Sequence, residues 1–188
     1  MRIISGLFKG KKILSPIDMK TRPLKDLAKE SIFNIIGHSN KFEGKLDNAN
    51  ILDLFSGVGS FGIECLSRGA KKVTFVENYV GVLPILKKNL LSLKSINNYK
   101  ILENDIYGND ILLKLDCKFD IIFLDPPFKD KNLNSLLAKL EDNKLLNENG
   151  TIILHRHKSD NENFSKSFKI IEEKNYGISK ISFLCNLN

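Results

Sequence analysis

The chain has 188 residues, close to the size of one domain, and its 42% hydrophobic content is enough for one sizeable core. It holds no run of about eighteen apolar residues, and charges interrupt its first residues. These features exclude a membrane span and a signal peptide, and they predict a cytoplasmic protein. The net charge of +7 favours a polyanionic partner such as nucleic acid, although an AT-rich genome also raises lysine content. Three widely spaced cysteines without a C-x-x-C pair argue against a disulfide framework and a structural zinc site.

The first forty residues differ in character from the rest. Residues 1–22 predict a β-hairpin, with RIISGLF and KKILSP on either side of a turn at Lys9-Gly10. The run RPLKDLAKESIFNIIG predicts a helix that stops at Gly37, because apolar residues recur at helical spacing. A polar linker, HSNKFEGKLDNA, follows. We therefore divide the chain into an extension, residues 1–40, and a main domain, residues 41–188.

Strand and helix patterns alternate from Asn50 onward. Apolar runs predict strands at NILDLFS, KKVTFVEN, YKILEND, FDIIFLDPPF and GTIILHRH. Helical patterns lie between them at SFGIECLSRGA, VGVLPILKKNLLSLKS, GNDILLKL and KNLNSLLAKLED, and two strand-like runs follow at 165–172 and 178–185. This alternation predicts an α/β fold with a mostly parallel sheet that is covered on both faces. In such sheets, ligands bind at the carboxyl ends of the strands.

The first of these strand ends carries the glycine pattern G-x-G-x-x-G within DLFSGVGSFG, at Gly57, Gly59 and Gly62. The pattern is the dinucleotide fingerprint, in which glycines make room for a pyrophosphate. However, Asp53 precedes the glycines, and its carboxylate would repel a pyrophosphate. An acid there suits a cationic ligand group such as an ammonium or a sulfonium. A tight strand-to-helix turn without any ligand is also consistent with the pattern.

The next two strands also end in polar residues. Glu77 ends VTFVE, and an acid in that place can accept both hydroxyls of a ribose, whether in a dinucleotide or in another adenosine cofactor. Asn104 and Asp105 end the following strand, where their side chains could reach an adenine amine. Asn-Asp is equally common in plain turns, so Asn104 and Asp105 are consistent with either adenine binding or a turn.

The most specific signal is Asp125-Pro126-Pro127-Phe128, which follows the apolar strand FDIIFL. Two prolines stiffen the backbone and remove two N–H donors, so the segment presents a carboxylate beside carbonyl oxygens. The natural partner of two such acceptors is a planar amine with two hydrogens, such as the exocyclic amine of a nucleobase. Phe128 can stack on that base. The alternative is a rigid turn with Phe128 packed inside, but the position at the ligand-binding edge favours the functional interpretation.

These motifs resemble the S-adenosylmethionine-dependent methyltransferases that modify amino groups of bases. Within that class, the chain is similar to the bacterial family that makes N2-methylguanosine in 16S ribosomal RNA. That family opens with MRIIxGxxxGxxL and TRPTxDxxRExLFNxL, and here the corresponding stretches are MRIISGLFKGKKIL and TRPLKDLAKESIFNII. Its glycine motif DLFAGSGxLGxEALSRGA corresponds to DLFSGVGSFGIECLSRGA, and its closing YG corresponds to YGISKISFLCN. The resemblance covers essentially the whole chain.

The resemblance implies a class I methyltransferase fold, a Rossmann-like seven-stranded sheet with an antiparallel last strand, preceded by a small hairpin and helix. It implies methylation of a guanine N2 amine in small-subunit ribosomal RNA, in ribosome biogenesis. The substrate would be the RNA or its ribonucleoprotein particle, and we expect a monomer without a metal ion. The implied catalytic residues are Asp125, Pro126, Pro127 and Phe128. The implied S-adenosylmethionine-binding residues are Asp53, Phe55, Ser56, Gly57, Gly59, Glu77, Asn78, Asn104 and Asp105.

The chain departs from the family pattern in and after the first helix. Leu24 replaces a threonine, Leu27 and Lys29 replace arginines, and His155 stands where an acid is usual near the end of the GTIIL strand. These departures concern contacts to the substrate more than the cofactor. RNA phosphates are expected to contact the basic extension. The competing interpretation is that its lysines are ordinary solvated surface residues. The candidate RNA-contacting residues are Arg2, Lys9, Lys11, Lys12 and Arg22.

Three other functions compete with RNA methylation. A dinucleotide-dependent oxidoreductase fits the glycines but not Asp53 or the Asp-Pro-Pro-Phe motif. A DNA adenine N6 methyltransferase would share that motif, yet the chain leaves no room for a separate target-recognition domain. A non-catalytic RNA-binding protein would not need every strand end of a cofactor site to be intact.

Overall fold

The computed structural model describes residues 1–17, 24, 26–38, 46–108, 111–115, 117–160, 162 and 164–187. The strands are β1 Asn50–Leu54, β2 Lys72–Val76, β3 Tyr99–Leu102, β4 Phe119–Leu124, β5 Leu146–His157, β6 Phe168–Tyr176 and β7 Ser179–Asn186. The helices are α1 Asp26–His38, α2 Ser60–Ser67, α3 Leu83–Leu91 and α4 Leu133–Asp142, with a 3-10 turn at Leu112–Lys114. None of these helices is long and apolar enough to span a membrane.

The seven strands form one sheet in the order β3-β2-β1-β4-β5-β7-β6. The first five strands pair in parallel, whereas β7 runs antiparallel to both of its neighbours. The predicted α/β alternation, the antiparallel last strand and the terminal hairpin are therefore confirmed. The strand order reverses between β1 and β4, and this reversal opens a ligand crevice at the carboxyl ends of the strands.

Helices cover both faces of the sheet, as the apolar strands require. On one face, the ring of Phe61 on α2 stacks on Phe123 of β4 with 4.1 Å between centroids. On the other face, the leucines of α4 pack against β1 and β4. A Cβ atom at Gly62 would lie 2.8 Å from Val73 Cγ1 and would collide with the ring of Phe75. The third glycine of the motif therefore allows α2 to pack closely on β2.

Several element boundaries differ from the sequence prediction. Helix α1 ends at His38, one residue beyond the predicted stop at Gly37. The run GNDILLKL yields only the 3-10 turn, and α3 begins as late as Leu83. The predicted hairpin closes between residues 1–3 and 10–13, where Arg2 forms an antiparallel bridge with Lys12 and the Ile3 N–H donates to the Lys11 carbonyl at 2.9 Å. The backbone of this hairpin also bonds to α2, where the Ser67 carbonyl accepts the Leu7 N–H at 2.7 Å.

A buried ion pair fastens the first five residues of the extension to α1 and α2. The fully buried Lys29 ammonium donates to the Arg2 carbonyl at 2.9 Å and lies 3.9 Å from the Glu64 carboxylate. The two oxygens of Glu64 accept the Ile4 and Ser5 N–H groups at 2.8 and 2.9 Å. Lysine at this position, where the resembled family has arginine, therefore serves to hold the chain start in place.

We expect Glu64→Gln to destabilise the protein and to loosen the extension, because it leaves the buried Lys29 ammonium with only the half-exposed Asp26 carboxylate, 3.8 Å away. The expected loss in the free energy of unfolding is about 3 kcal/mol. The matched control is Glu103→Gln, which breaks a half-exposed pair with Lys87 at 2.6 Å and should cost less than about 1 kcal/mol. Urea denaturation of both variants measures the two losses. Equal losses would contradict a special role for Glu64.

Candidate active site

Three carboxylates from neighbouring strands meet at the crevice. Asp53 lies on β1, Glu77 directly follows β2, and Asp125 directly follows β4. Burial is the main cause that raises the pKa of Asp53 well above its ordinary value, and the negative charges of Asp125 and Glu77 raise it further. The parallel register pairs Leu54 with Val76 and with Leu124, so these three strand ends lie side by side.

Asp53 is the most deeply buried of the three, with 1% of its surface exposed. Its Oδ2 accepts the N–H of Gly62 in the first turn of α2, at 3.0 Å. Its Oδ1 is buried and has no hydrogen-bond partner among the described residues. A buried carboxylate oxygen without a partner is costly. The site therefore holds a strong acceptor that a cation or an N–H donor can satisfy.

The loop that follows β1 has an unusual backbone. Phe55, Gly57 and Gly59 all adopt positive φ angles of 58°, 55° and 84°. A Cβ atom at Gly59 would lie 2.6 Å from Leu86 Cδ1 on α3. The hydroxyl of Ser56 donates to the Asp53 carbonyl at 2.5 Å and accepts the Val76 N–H at 3.0 Å. The side chain of Ser56 thus shapes the loop from within.

Glu77 fastens this loop to the end of β2. Its Oε2 accepts the Gly57 N–H at 2.7 Å, while its Oε1 accepts the N–H groups of Asn78 and Tyr79 at 3.0 and 2.8 Å. The Asn78 side chain is exposed. Oε2 keeps one acceptor position, so the predicted contact with two ribose hydroxyls requires Glu77 to release at least one of these amides.

Asn104 and Asp105 make local contacts. The Asp105 carboxylate is exposed and accepts the Tyr107 N–H at 3.0 Å, which is the turn role that the sequence left open. Asn104 accepts a 3.4 Å hydrogen bond from Lys114. The ring of Tyr107 lies 6.0 Å from that of Phe55 on the glycine loop. Tyr107 therefore connects this turn to the rest of the site.

The Asp-Pro-Pro-Phe motif forms a braced turn. Asp125 Oδ1 lies 2.7 Å from His155 Nδ1, whereas its Oδ2 has no hydrogen bond within the described residues. The Pro127 carbonyl accepts the Asp130 N–H at 2.8 Å and Arg156 Nη1 at 2.9 Å. The Pro126 carbonyl accepts none from the described part of the chain. One carboxylate oxygen and one carbonyl thus accept no hydrogen bond from the described residues. Phe128 is partly exposed, edge-on to the rings of His155 and His157.

Sequence reasoning did not assign a site role to Arg156 or Tyr107. Arg156, 5% exposed, binds the carbonyls of Pro127 and Asp130 and pairs with Glu162 at 2.8 Å. The Tyr107 hydroxyl donates to the Asp130 carboxylate at 2.8 Å, and burial and then this hydrogen bond raise the pKa of Tyr107. The polar LHRH ending on the strand next to FDIIFL was a signal that could have identified Arg156.

The candidate RNA-contacting residues have different surroundings. Arg2, Lys9 and Lys12 are exposed. The Lys11 ammonium donates to the Ser92 carbonyl and lies 5.8 Å from the centre of the Phe8 ring, so it is already engaged within the protein. Arg22 lies outside the described residues.

Comparison with known proteins assigns the chain to a family. The sequence pattern of the family described as Conserved hypothetical protein 95 matches residues 1–185. The chain belongs to this family. It is 37% identical to the putative rRNA methyltransferase YlbH of Bacillus subtilis over 154 residues, which are 81% of this chain and 80% of that protein. It is 34% identical to the ribosomal RNA small subunit methyltransferase D of Haemophilus influenzae over 180 residues, covering 95% and 90%.

The solved structures agree with the family assignment. The putative methyltransferase yhhF from Escherichia coli superposes with a TM-score of 0.80 at 28% identity, covering 99% of this chain and 97% of that one. The resemblance drawn from the motifs and the class I methyltransferase fold are therefore confirmed. The chain is an S-adenosylmethionine-dependent methyltransferase, which confirms the predicted cofactor. No group of three or more metal-ligating side chains occurs in the described residues.

The crevice of this methyltransferase fits its cofactor. S-adenosylmethionine carries an ammonium and a sulfonium, and the unpartnered Asp53 Oδ1 with two further carboxylates offers the complementary charge. The positive φ angles at Gly57 and Gly59 suit a backbone that a ligand approaches closely. A pyrophosphate would meet three carboxylates at the same place. The three-glycine pattern therefore belongs to a methyltransferase loop, and the dinucleotide alternative is not supported.

We expect Asp53→Asn to weaken cofactor binding while it stabilises the protein at neutral pH. Because burial raises the folded-state pKa of Asp53 above its ordinary value of 3.8, the folded state keeps this proton to a higher pH than the unfolded state. The free energy of unfolding therefore falls as the pH rises between the two values. Asparagine removes that dependence. It also removes a charge partner of the ammonium, which should raise the Kd for S-adenosylmethionine about tenfold or more.

Urea denaturation across a pH series and calorimetric titration with S-adenosylmethionine measure the two effects of Asp53→Asn. An unchanged Kd would show that Asp53 serves only to receive the Gly62 amide.

Proposed function

We propose that this methyltransferase transfers a methyl group to the N2 amine of a guanine in 16S ribosomal RNA, as a monomer in the bacterial cytoplasm and as a step of ribosome biogenesis. The observation that carries the proposal is the pair of unengaged acceptors at Asp125 Oδ2 and the Pro126 carbonyl. Relatives that are named ribosomal RNA small subunit methyltransferase D support RNA as the substrate class.

A guanine N2 is a weak nucleophile because its lone pair is delocalised into the ring. Asp125 Oδ2 and the Pro126 carbonyl accept its two hydrogens, aim the nitrogen and favour the positive charge that develops on it. When bound, S-adenosylmethionine supplies an electrophilic methyl on a sulfonium and is left as a neutral thioether. The Asp125 carboxylate takes the proton that N2 loses and passes it to water. Charge and atoms balance without a further reactant.

The braced turn makes this chemistry efficient because the acceptors do not have to be ordered during the reaction. Two prolines restrict the backbone, and Arg156 holds the Pro127 and Asp130 carbonyls at 2.9 and 3.1 Å. Holding two reactants in a reactive geometry can lower a barrier by roughly 7–11 kcal/mol. Fixed acceptors in a site that excludes water add an electrostatic contribution.

The RNA must present the guanine outside a stacked helix, either in a loop or flipped out. We assign the first contact with phosphates to the extension, residues 1–40, where Arg2, Lys9 and Lys12 are exposed. We expect Lys11 to contribute less, since its ammonium is held by the Ser92 carbonyl. The main domain, residues 41–188, supplies the cofactor site and the acceptors.

Labelled methyl transfer to small-subunit RNA, to assembled particles and to DNA tests this function. Nucleotide mapping of ribosomal RNA from cells with and without the gene then identifies the modified base. Transfer to an RNA guanine N2 is the expected result. Transfer to DNA adenine would support the DNA methyltransferase alternative instead, and binding to RNA without transfer would support a non-catalytic protein.

We expect Asp125→Ala to lower methyl transfer at least about 100-fold, because it removes one of the two acceptors. Cofactor binding should persist. The matched control is Asp120→Ala, which removes the same side chain from the opposite end of β4, where Asp120 accepts the Asn50 N–H at 2.8 Å. Turnover of folded Asp120→Ala protein should stay near that of the wild type. Full activity of Asp125→Ala would overturn the assignment.

We expect the double variant Lys9→Glu and Lys12→Glu to weaken RNA binding and to flatten its salt dependence. Each phosphate contact that is lost should reduce the slope of log K against log salt by about 1. The double variant Lys118→Glu and Lys144→Glu is the charge-matched control, because both lysines are exposed and lie just before β4 and β5, outside the extension. Filter binding between low and moderate salt gives the slopes, and equal slopes for all variants would remove the extension from the RNA interface.

A further inference from the structure

His155 departs from the family pattern, and the structure places it against the catalytic carboxylate. Its side chain is 10% exposed, and its Nδ1 lies 2.7 Å from Asp125 Oδ1. An ionised carboxylate can only accept a hydrogen bond, so Nδ1 carries the hydrogen and donates it. The contact therefore fixes both the ring tautomer and the orientation of Asp125.

This hydrogen bond is the one polar contact of the His155 ring within the described residues. Nε2 is buried and meets no donor or acceptor there. The Phe128 ring lies edge-on at 5.8 Å, and the register partner on β7 is the apolar Ile181. An apolar residue would fill this place without an unsatisfied nitrogen. The cost of the buried imidazole is thus offset only through Asp125.

We propose that His155 is a positioning residue for methyl transfer. By holding Oδ1 from the side of β5, it turns Oδ2 toward the substrate amine, beside the Pro126 carbonyl. A carboxylic residue at position 155 would offer Asp125 no hydrogen unless it were protonated, whereas histidine offers one in its neutral form. This inference rests on the proposed function, because it assumes that Asp125 accepts hydrogens of the base.

The next residue on the strand provides a structural contrast. Arg156 binds the backbone carbonyls of Pro127 and Asp130 and pairs with Asp160 and Glu162 at 3.3 and 2.8 Å. Loss of Arg156 would leave several part-buried acceptors without their partner and therefore affect folding. His155, in contrast, contacts the side chain of Asp125. Loss of His155 should therefore reorient this one carboxylate and leave the fold unchanged.

Three substitutions separate positioning from packing. His155→Asn places an amide N–H where Nδ1 lies, His155→Gln places it where Nε2 lies, and His155→Leu removes every donor. We expect kcat for methyl transfer to RNA to fall about 10- to 100-fold in the Leu and Gln variants, because small errors of position have effects of that size. The Asn variant should retain at least about a third of the wild-type kcat, since it restores the hydrogen bond. KM and Kd for S-adenosylmethionine should be unchanged in all three.

Equal kcat in the Asn and Leu variants would overturn the proposal, and so would a loss confined to cofactor binding. If the Leu variant fails to fold, the comparison of Asn with Gln decides in the same way. A second measurement needs no turnover. In ¹⁵N-labelled protein, the His155 ring should be in the Nδ1–H form, and Asp125→Ala should abolish that preference.

The two measurements, methyl transfer and the ring tautomer of His155, distinguish failure of this proposal from failure of the proposed function. If the wild type transfers no methyl group to guanine but the tautomer depends on Asp125, the substrate assignment is wrong and the His155–Asp125 contact stands. If transfer to guanine is found but the tautomer is independent of Asp125, His155 is not the positioning residue.

Discussion

The site depends on the parallel pairing of β1 with β2 on one side and with β4 on the other. This register sets Asp53 beside Phe75 and Phe123. Because the three strands run in the same direction, their carboxyl ends reach one edge of the sheet, and Glu77 and Asp125 arrive there without a long loop. A shift of β1 by one residue would turn Asp53 to the face where the leucines of α4 pack, and the cofactor crevice would lose its central carboxylate.

Three carboxylates at one edge repel one another, and the fold offsets that repulsion in a consistent way. One oxygen of Asp53 accepts the Gly62 N–H, both oxygens of Glu77 accept backbone amides, and one oxygen of Asp125 accepts from His155. Asp53 Oδ1 and Asp125 Oδ2 are left without partners within the described residues. Each of these two groups is therefore fixed by one oxygen and able to bind a ligand through the other. A cationic cofactor supplies the positive charge that three clustered carboxylates require.

The ends of the strands could be predicted from the sequence because hydrophobic periodicity and the positions of glycines and acids are properties of short segments. The sequence could not predict contacts between distant segments. The engagement of Lys11 with Ser92 and the three amides on Glu77 depend on how the extension and the glycine loop pack. Gly37 marked the end of α1 to within one residue, because a glycine stop is likewise a local signal. His155 could be recognised in the sequence as a departure, yet its partner became visible only with the pairing of β4 and β5.

The Asp-Pro-Pro-Phe motif is sharply defined in sequence, but its rigidity comes largely from outside it. Prolines restrict φ, whereas the direction of the Asp125 carboxylate depends on His155. Tyr107 and Arg156 hold Asp130, one through its carboxylate and one through its carbonyl. The Tyr107 ring also lies against Phe55 on the glycine loop. Tyr107 therefore packs against both the turn after Asp125 and the loop beside the cofactor. A substitution in this turn or in the glycine loop can therefore alter the alignment of the substrate nitrogen with the cofactor methyl without touching a reacting atom.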